Sequence, residues 1–245
     1  MKAILPSAGY ATRMWPLTLD KPKSLLEIGE KTIMDYSVEK ILRFKAIDKI
    51  FIISNNKFYS QFLEWRRKYR DIDIEILNDG SNVESGRLGT VGDVYFALDK
   101  GKVDDDFLII NPDNLFSFEF NDAYRYFLKR RNLIGLFEVS DKDEARRRGS
   151  AMLNFEGKII EFREKDKDAM FRFCSVGIYF FDKSVKNSIG IYLGEGNSSD
   201  RFGDFIQWLY KKIDIYGYFF PQNERIFDIG SIGSYERARK LWLGV

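Results

Sequence analysis

The chain of 245 residues contains no histidine and only one cysteine, Cys174. The lack of histidine excludes Ser-His-Asp and Cys-His catalytic centres and any zinc site with histidine ligands. A single cysteine excludes a disulfide within the chain and a zinc site made of several thiolates. Because Cys174 lies in an apolar run, we expect it to be a small buried side chain. Catalysis by this chain must therefore use Asp, Glu, Lys or Arg, with any metal held by oxygen ligands.

An excess of charge of one sign is also lacking, since 39 basic residues face 37 acidic ones, for a net charge of +2. This balance gives no reason to expect binding to nucleic acid or to an anionic membrane surface. No apolar run approaches the roughly 20 residues that span a bilayer. The start of the chain lacks a cationic leader with a long apolar stretch, so we expect no signal peptide and a cytoplasmic protein with a small-molecule ligand.

The chain has 44% hydrophobic and 16% aromatic residues, enough to bury a large core. It contains no Ser/Pro/Gly-rich linker, no repeat and no low-complexity tract. We therefore expect one domain over residues 1–245, with halves 1–120 and 121–245 that share a sheet.

Short apolar runs alternate with helical patterns through the first half. Runs typical of buried strands lie at residues 3–5, 50–53, 72–77 and 107–110, and helical spacing at 33–42, 58–69 and 94–98. This alternation predicts an α/β fold with an open, mainly parallel, twisted Rossmann-like sheet and helices on both faces.

The second half has more strand-like runs and fewer helices, which predicts an antiparallel extension of the sheet. The charged runs at 146–148 and 165–168 are expected to be mostly solvated surface. Aromatic residues between Tyr210 and Phe220 can form either core or an oligomer interface, and the sequence leaves both open. The strand-like runs are residues 133–139, 151–155, 158–162, 175–181 and 215–220.

The segment after the first strand has a composition suited to a polyphosphate. Gly9 follows that strand closely and lets backbone N–H groups approach a phosphate or base, while Arg13 and Lys23 can meet several negative oxygens. Taken alone, a glycine in this position is explained by turn formation as well as by phosphate binding. The chain has neither a Walker A sequence nor a Gly-x-Gly-x-x-Gly fingerprint, so kinase-type and dinucleotide sites lose their main support.

The stretch from Lys2 to Gly29 resembles the signature of the sugar nucleotidyltransferases, the family of glucose-1-phosphate thymidylyltransferase. That signature runs K-A-[IV]-I-L-A-A-G-x-G-T-R-[LM]-x-P-L-T, followed by P-K-x-L-L-x-[IV]-G. Ala11 replaces the second glycine, so we expect the loop to differ in shape or to hold a nucleotide less closely. The matching residues are Ala8, Gly9, Thr12, Arg13, Pro16, Leu17, Thr18, Pro22, Lys23, Leu25, Leu26 and Gly29.

The resemblance implies that the first half mainly binds the nucleotide. Arg13 would hold the β- and γ-phosphates, and Lys23 the phosphates at the reacting centre. The segment 88–93 resembles the family's L-G-T-x-G stretch near base and ribose. The side chain that selects the base is expected in residues 78–87, and the base is not assigned. The implied nucleotide-binding residues are Ala8, Gly9, Tyr10, Ala11, Thr12, Arg13 and Gly89.

Two aspartates match the family's metal ligands. Asp113 follows a buried strand, with Pro112 where the family has glycine, and Asp228 lies in a segment resembling W-x-D-[IV]-G-T-x-x-S-Y. Without the family context, an aspartate after a strand is more often a turn or cap residue. Carboxylates with phosphate oxygens and water form the ligand shell that Mg²⁺ prefers, so the resemblance implies Mg²⁺ at Asp113 and Asp228. Arg13, Lys23 and Asp113 are the implied catalytic residues.

The resemblance also implies that the second half mainly binds the sugar phosphate. Gly149 stands where the family has a glycine near the sugar, and Glu164 and Lys165 match an E-K-P segment in which Asp166 replaces proline. Gly177 lies in a segment similar to the sugar-contacting strand and leaves room for a ring beside the backbone.

The implied activity joins an NTP to a sugar-1-phosphate and releases pyrophosphate. Two alternatives stay open: a cytidylyltransferase for choline phosphate or another non-sugar phosphate, and a catalytically inactive regulatory subunit. The departures at Ala11, Pro112 and Asp166 favour the second alternative. Five retained residues together oppose it: Arg13, Lys23, Asp113, Lys165 and Asp228. The family's C-terminal repeat region is not present, so no second acyltransferase activity is expected.

Overall fold

A computed structural model describes residues 1–221 and 224–242, and the rest of the predicted 1–245 domain lies outside the described residues. The strands are β1 (Lys2–Pro6), β2 (Glu27–Ile28), β3 (Lys31–Thr32), β4 (Lys49–Ser54), β5 (Ile74–Asn78), β6 (Phe107–Ile110), β7 (Asn114–Phe116), β8 (Leu133–Glu138), β9 (Gly149–Leu153), β10 (Ile159–Glu164), β11 (Phe173–Phe181), β12 (Tyr216–Phe219) and β13 (Ile226–Asp228). The helices are α1 (Ile33–Arg43), α2 (Tyr59–Arg66), α3 (Gly89–Lys100), α4 (Asn121–Arg130), α5 (Lys142–Ala145), α6 (Val185–Gly194), α7 (Phe202–Leu209) and α8 (Ile232–Trp242).

A nine-stranded sheet contains strands from both halves of the chain. Its main path is β10-β9-β11-β6-β1-β4-β5, with β8 paired to β11 and β12 paired to β8. Strand β1 is parallel to both β4 and β6, and β4 is parallel to β5. The four strands predicted in the first half therefore form the parallel part of the sheet, which confirms the predicted α/β fold.

The second half adds the antiparallel strands that the sequence predicts. Strand β11 runs antiparallel to β6, β8 and β9, and β9 runs antiparallel to β10. One strand differs, because β12 pairs parallel to β8. Residues 139–215 connect β8 to β12, and a parallel pairing needs a long crossover of this kind.

Alternate residues of the central strands face two separate cores. Ala3 and Leu5 of β1 pack with residues of α1, α2 and α4, whereas Ile4 packs with residues of α3, α6 and α7. Because helices cover both faces of the sheet, polar residues need not alternate with apolar ones along these strands. This explains the continuous apolar runs in the sequence.

A third, smaller core holds the C-terminal segment against the sheet. Leu115 of β7 packs with Ile229 and with Tyr235 and Ala238 of α8. The Tyr235 hydroxyl donates a hydrogen bond of 2.7 Å to the Glu27 carbonyl. These contacts hold β13 beside β7, at the carboxyl end of β6.

Several local features differ from the sequence predictions or complete them. The β2–β3 and β7–β13 ribbons were not predicted, because strands of two or three residues are too short to show a period. Helix α3 begins at Gly89, ahead of the predicted residues 94–98. Ile215, Tyr216 and Phe220 are buried and so belong to the core, and Cys174 is fully buried as expected.

Among the described residues, no helix has both the length and the apolar character needed to cross a membrane.

A pair of alanine variants on α4 tests the position of the core. Phe127 is fully buried and lies 5.9 Å from the Phe180 ring, whereas its neighbour Leu128 is 53% exposed. We expect Phe127→Ala to lower the free energy of unfolding by about 3–5 kcal/mol, because it leaves a cavity. Leu128→Ala should change it by less than about 0.5 kcal/mol. Urea unfolding measures both, and equal effects would contradict the assignment of the buried face.

Candidate active site

A cleft of about 200 Å³ lies at the carboxyl ends of β1 and β6. Ligands of open α/β sheets gather at this edge. The lining comes from residues 6–9 and Ala11 after β1, from Lys23 and Ser24, from residues near the start of α3, and from residues 111–113 after β6.

The cleft wall carries several buried polar atoms that lack partners. The Ser7, Ser24, Asp93 and Asn111 side chains each have a buried oxygen that makes no hydrogen bond with the described residues. Most buried polar atoms in folded proteins are paired, so a group of unpaired ones needs an explanation. Their position in one cleft indicates a site that a polar ligand would complete.

The turn after β1 combines open space with a constrained backbone. A Cβ added to Gly9 would meet no atom within 4 Å, so the protein's own packing does not require glycine there. Ala11 adopts the left-handed conformation, with φ 48° and ψ 42°, at a cost of about 1 kcal/mol. The Thr18 hydroxyl donates a 2.8 Å hydrogen bond to the Ala11 carbonyl. Ala11 therefore holds a conformation that glycine would adopt more readily.

Three other predicted nucleotide-binding residues of this turn do not line the cleft. The Tyr10 ring is buried, and its hydroxyl donates to the Ser81 carbonyl at 3.1 Å. Burial raises the pKa of Tyr10. Thr12 is half-buried, and Arg13 is exposed and makes no ion pair with any described residue. Ala8, Gly9 and Ala11 do line the cleft.

An ion pair joins two of the predicted catalytic residues. The Lys23 Nζ atom donates to Asp113 Oδ2 at 2.6 Å, and both side chains are partly exposed at the cleft. The two residues are 90 positions apart in the sequence. The fold thus brings the lysine of the first motif onto the aspartate that follows β6.

The second predicted metal ligand, Asp228, lies beside the first. Asp228 pairs with Asn114 across the β13–β7 ribbon, and the Ile229 N–H donates to the Asp113 carbonyl at 3.0 Å. Burial raises the pKa of Asp228, and the nearby charge of Asp113 raises it further, while Arg148 and Lys23 lower it. Within the described part of the chain, no cluster of three or more Asp, Glu, His or Cys side chains could hold a metal ion.

Arg148 is a cation of this site that the sequence did not indicate. Its Nη1 atom is 3.6 Å from Asp228 Oδ2, its Nη2 atom is 3.1 Å from Glu144 Oε1, and its guanidinium lies 5.0 Å from the Phe137 ring centroid. The side chain is only 13% exposed. Arg148 is therefore an exception to the prediction that the basic run is mostly solvated surface. Its position directly before Gly149, a predicted sugar-phosphate residue, could have indicated that it lies at the site.

Gly89 lines the cleft, and the fold itself requires a glycine there. Its φ is +77°, and an added Cβ would clash with the Ser199 carbonyl oxygen. The Thr90 and Val91 N–H groups donate to the Asp200 and Ser199 carbonyls at 3.1 and 2.9 Å. The first turn of α3 is therefore capped by residues 199–200, a distant segment that local sequence could not reveal.

Asp93 lies one helical turn after Gly89 and also lines the cleft. It is 4% exposed. Burial and, to a smaller extent, the charge of Asp79 raise the pKa of Asp93 to about 8, against a lowering effect of Arg87. Asp93 was not among the predicted site residues, although its position among the buried, mostly apolar residues of a helix could have indicated a special role.

The predicted sugar-phosphate residues lie beyond this lining. Gly149 and Glu164 pair across β9 and β10, and a Cβ on Gly149 would lie 2.8 Å from Glu164 Oε2. Burial, with a smaller contribution from the charge of Asp204, raises the pKa of Glu164 to about 7, against the lowering effect of the Lys165 charge. Lys165 is exposed, with φ 51°, and the structure does not bring it to the described cleft wall.

Gly177 connects this second group to the cleft. It has φ +72°, and an added Cβ would lie 2.6 Å from the Asn111 side-chain nitrogen. The Asn111 N–H donates to the Gly177 carbonyl at 2.9 Å. Asn111 lines the cleft, so the absence of a side chain at Gly177 helps to set the position of the cleft wall.

Comparison with known proteins gives a family and a fold. A family model described as nucleotidyl transferase matches residues 2–243. The chain is 29% identical over 185 residues to the bifunctional protein GlmU of Methanocaldococcus jannaschii, covering 76% of the chain and 41% of that relative. It is 27% identical over 191 residues to the mannose-1-phosphate guanylyltransferase catalytic subunit beta of Dictyostelium discoideum, covering 77% of the chain and 52% of that relative. The chain thus matches about half or less of these relatives' length.

A solved structure of UDP-glucose pyrophosphorylase complexed with UDP-glucose superposes with a TM-score of 0.83. It is 19% identical in sequence, and the match covers 98% of this chain and 97% of that one. This likeness shows the shared fold.

Two glycine variants separate a structural glycine from one that leaves open space. Gly89→Ala should lower the free energy of unfolding by about 2 kcal/mol or more, because it combines positive φ with a clash against Ser199. Gly9→Ala should change it by less than about 1 kcal/mol, because φ is not positive and the space is open. Urea unfolding of both variants is the measurement. A neutral Gly89→Ala variant would show that residues 199–200 do not pack on α3.

Proposed function

This chain belongs to the nucleotidyl transferase family, and we propose that it transfers a nucleoside monophosphate from an NTP to a sugar-1-phosphate. The products are an NDP-sugar and pyrophosphate. The observation that carries the proposal is the convergence of Lys23, Asp113 and Asp228 beside the turn that follows β1.

The proposed reaction needs little covalent chemistry from the protein. A phosphate oxygen of the sugar-1-phosphate attacks the α-phosphorus of the NTP in line, and the bond to pyrophosphate breaks. A phosphate monoester is already ionised near neutral pH, so the lack of histidine in the chain is no obstacle. The protein contributes by positioning both substrates and by neutralising the charge on the phosphates.

The turn after β1 is the proposed binding place of the triphosphate. The open space beside Gly9 allows the backbone of residues 8–11 to approach phosphate oxygens. Lys23 stands at the same cleft, and its ammonium group can exchange Asp113 for a phosphate oxygen. Arg13 is exposed beyond the turn and would meet the outer phosphates of the leaving pyrophosphate.

The donor set at Asp113 and Asp228 fits Mg²⁺. The negative charge of Asp113 adds to the effect of burial and raises the pKa of Asp228, and an unpaired Asn111 oxygen lies in the cleft that Asp113 lines. Hard oxygen donors of this kind, with phosphate oxygens and water, suit Mg²⁺. When bound, Mg²⁺ would neutralise charge on the phosphates. Lys23 and Arg148 balance the two carboxylates from the protein side.

The residues around Gly149 and Glu164 are the proposed acceptor side. Glu164 can accept hydrogen bonds from sugar hydroxyls, and the lack of a side chain at Gly149 leaves room for its carboxylate. Lys165 would have to turn from the surface to reach the acceptor phosphate. Gly177 and Asn111 join this side to the triphosphate side, so both substrates can meet at one cleft.

A pyrophosphate-release assay tests the proposed function. We expect turnover with one or more NTPs and a sugar-1-phosphate in the presence of Mg²⁺, and loss of turnover when EDTA removes the metal. The panel includes CTP with choline phosphate, so turnover only with that pair would favour the cytidylyltransferase alternative. No pyrophosphate release with any pair in the panel would favour the catalytically inactive regulatory subunit.

Two lysine variants test the role of the ion pair at the cleft. Lys23→Ala should lower kcat/KM by about 10²–10³-fold, because it removes a fixed cation at the phosphates. Lys21→Ala is the matched control, since Lys21 pairs with Glu27 on the surface and should change kcat/KM less than about twofold. Steady-state kinetics give both values, with melting temperatures to confirm folding. Equal kcat/KM in the two variants would remove Lys23 from the mechanism.

A further inference from the structure

Asp93 is a buried acidic side chain that the proposed reaction does not use. It stands four residues after Gly89, so both residues lie on the same face of α3, and both line the cleft. The side chain is 4% exposed, and its Oδ1 atom makes no hydrogen bond with any described residue. Burying a polar oxygen without a partner costs free energy, so folding alone does not account for this aspartate.

The protein's nearby charges do not neutralise Asp93. The charged groups that act on it are Asp79, which repels it, and Arg87, which attracts it. Arg87 is already paired with Asp200 at 2.6 Å, and Asp79 accepts hydrogen bonds from Ser81. No described residue pairs with the Asp93 Oδ1 atom, and the cleft that Asp93 lines is where a partner can bind.

The sign of the charge limits which part of a ligand can lie beside Asp93. Burial raises the pKa of Asp93 to about 8, so hydrogen-bond donors or a cation would favour its ionised form, whereas a phosphate would not. Lys23, which lines the same cleft, attracts phosphate instead. The charged neighbours of Asp93 come from residues 79–87 and differ from those of Asp228, which are Asp113, Arg148, Lys23 and Glu144. A neutral group that carries hydrogen-bond donors is the part of an NTP that fits, and that part is the nucleoside.

We propose that Asp93 is a specificity-determining residue whose carboxyl group accepts hydrogen bonds from donor groups of the bound nucleoside. This inference rests on the proposed function. Two groups of a nucleoside have adjacent donors that match the two carboxylate oxygens: the N1–H and 2-amino group of guanine, and the 2′- and 3′-hydroxyls of ribose. The unpaired Ser7 hydroxyl in the same cleft is a second polar contact for the nucleoside.

The test is the equilibrium binding of nucleotides without acceptor, so that sugar hydroxyls of the acceptor play no part. The wild-type protein, Asp93→Ala and Asp93→Asn are titrated with GTP, ITP, 2′-deoxy-GTP and UTP. ITP lacks the 2-amino group of guanine, and 2′-deoxy-GTP lacks one ribose hydroxyl. Asp99→Ala is the matched control, because Asp99 is an exposed acidic residue of the same helix.

We expect Asp93→Ala to lose selectivity for one group of the nucleotide only, either the guanine 2-amino group or the ribose hydroxyl. If guanine is the partner, the wild-type protein binds GTP about 10- to 100-fold more tightly than ITP, and this ratio falls towards one in Asp93→Ala. If ribose is the partner, the wild-type protein instead binds GTP about 10- to 100-fold more tightly than 2′-deoxy-GTP, and this ratio of affinities falls towards one in Asp93→Ala. Asp93→Asn should keep part of the selectivity, and Asp99→Ala all of it.

Failure of this inference can be distinguished from failure of the proposed function. A wild-type protein that releases pyrophosphate, together with an Asp93→Ala variant that keeps all the wild-type binding ratios, overturns the role of Asp93 alone. A wild-type protein that neither binds an NTP nor releases pyrophosphate overturns the proposed function and this inference with it. Removal of an unpaired buried acid should not lower the melting temperature, and that measurement confirms that each variant is folded.

Discussion

The parallel pairing of β1 with β6 is the constraint on which the candidate site depends. Ala3 lies opposite Leu108 and Ile4 opposite Ile109, so the two strands end at the same edge of the sheet. The turn that begins at Ser7 and the segment that begins at Asn111 therefore form two walls of one cleft. Because each strand is buried on both faces, slipping this register would exchange the side chains between the two cores, disturb their packing and separate Lys23 from Asp113.

A second, weaker pairing brings the carboxylate of Asp228 beside Asp113. The β7–β13 ribbon is short, and a two-stranded ribbon of this length is not stable alone. The packing of α8 against Leu115 and Ile229 supplies the missing stability. The position of Asp228 thus depends on the small core around α8. A substitution in that core can displace this proposed metal ligand while the nine-stranded sheet stays intact.

The polar wall of the cleft carries a cost in stability that a ligand would offset. Ser7, Ser24, Asp93 and Asn111 each keep an oxygen without a partner among the described residues. An active site commonly holds such groups in place before the ligand arrives, since reorganising them during the reaction would raise the barrier. The left-handed backbone at Ala11 is a further local cost at the same edge.

The sequence by itself determined the α/β class, the parallel first half and the approximate positions of the main strands, because apolar runs and helical spacing are local properties of the chain. Resemblance to a family also indicated Lys23, Asp113 and Asp228, which the fold brings together. Only the tertiary structure decided that Arg148 faces Asp228, that residues 199–200 cap α3, and that Asp93 lines the cleft without a partner. Each of these depends on contacts between segments distant in sequence, and neither periodicity nor residue type specifies which distant segments meet.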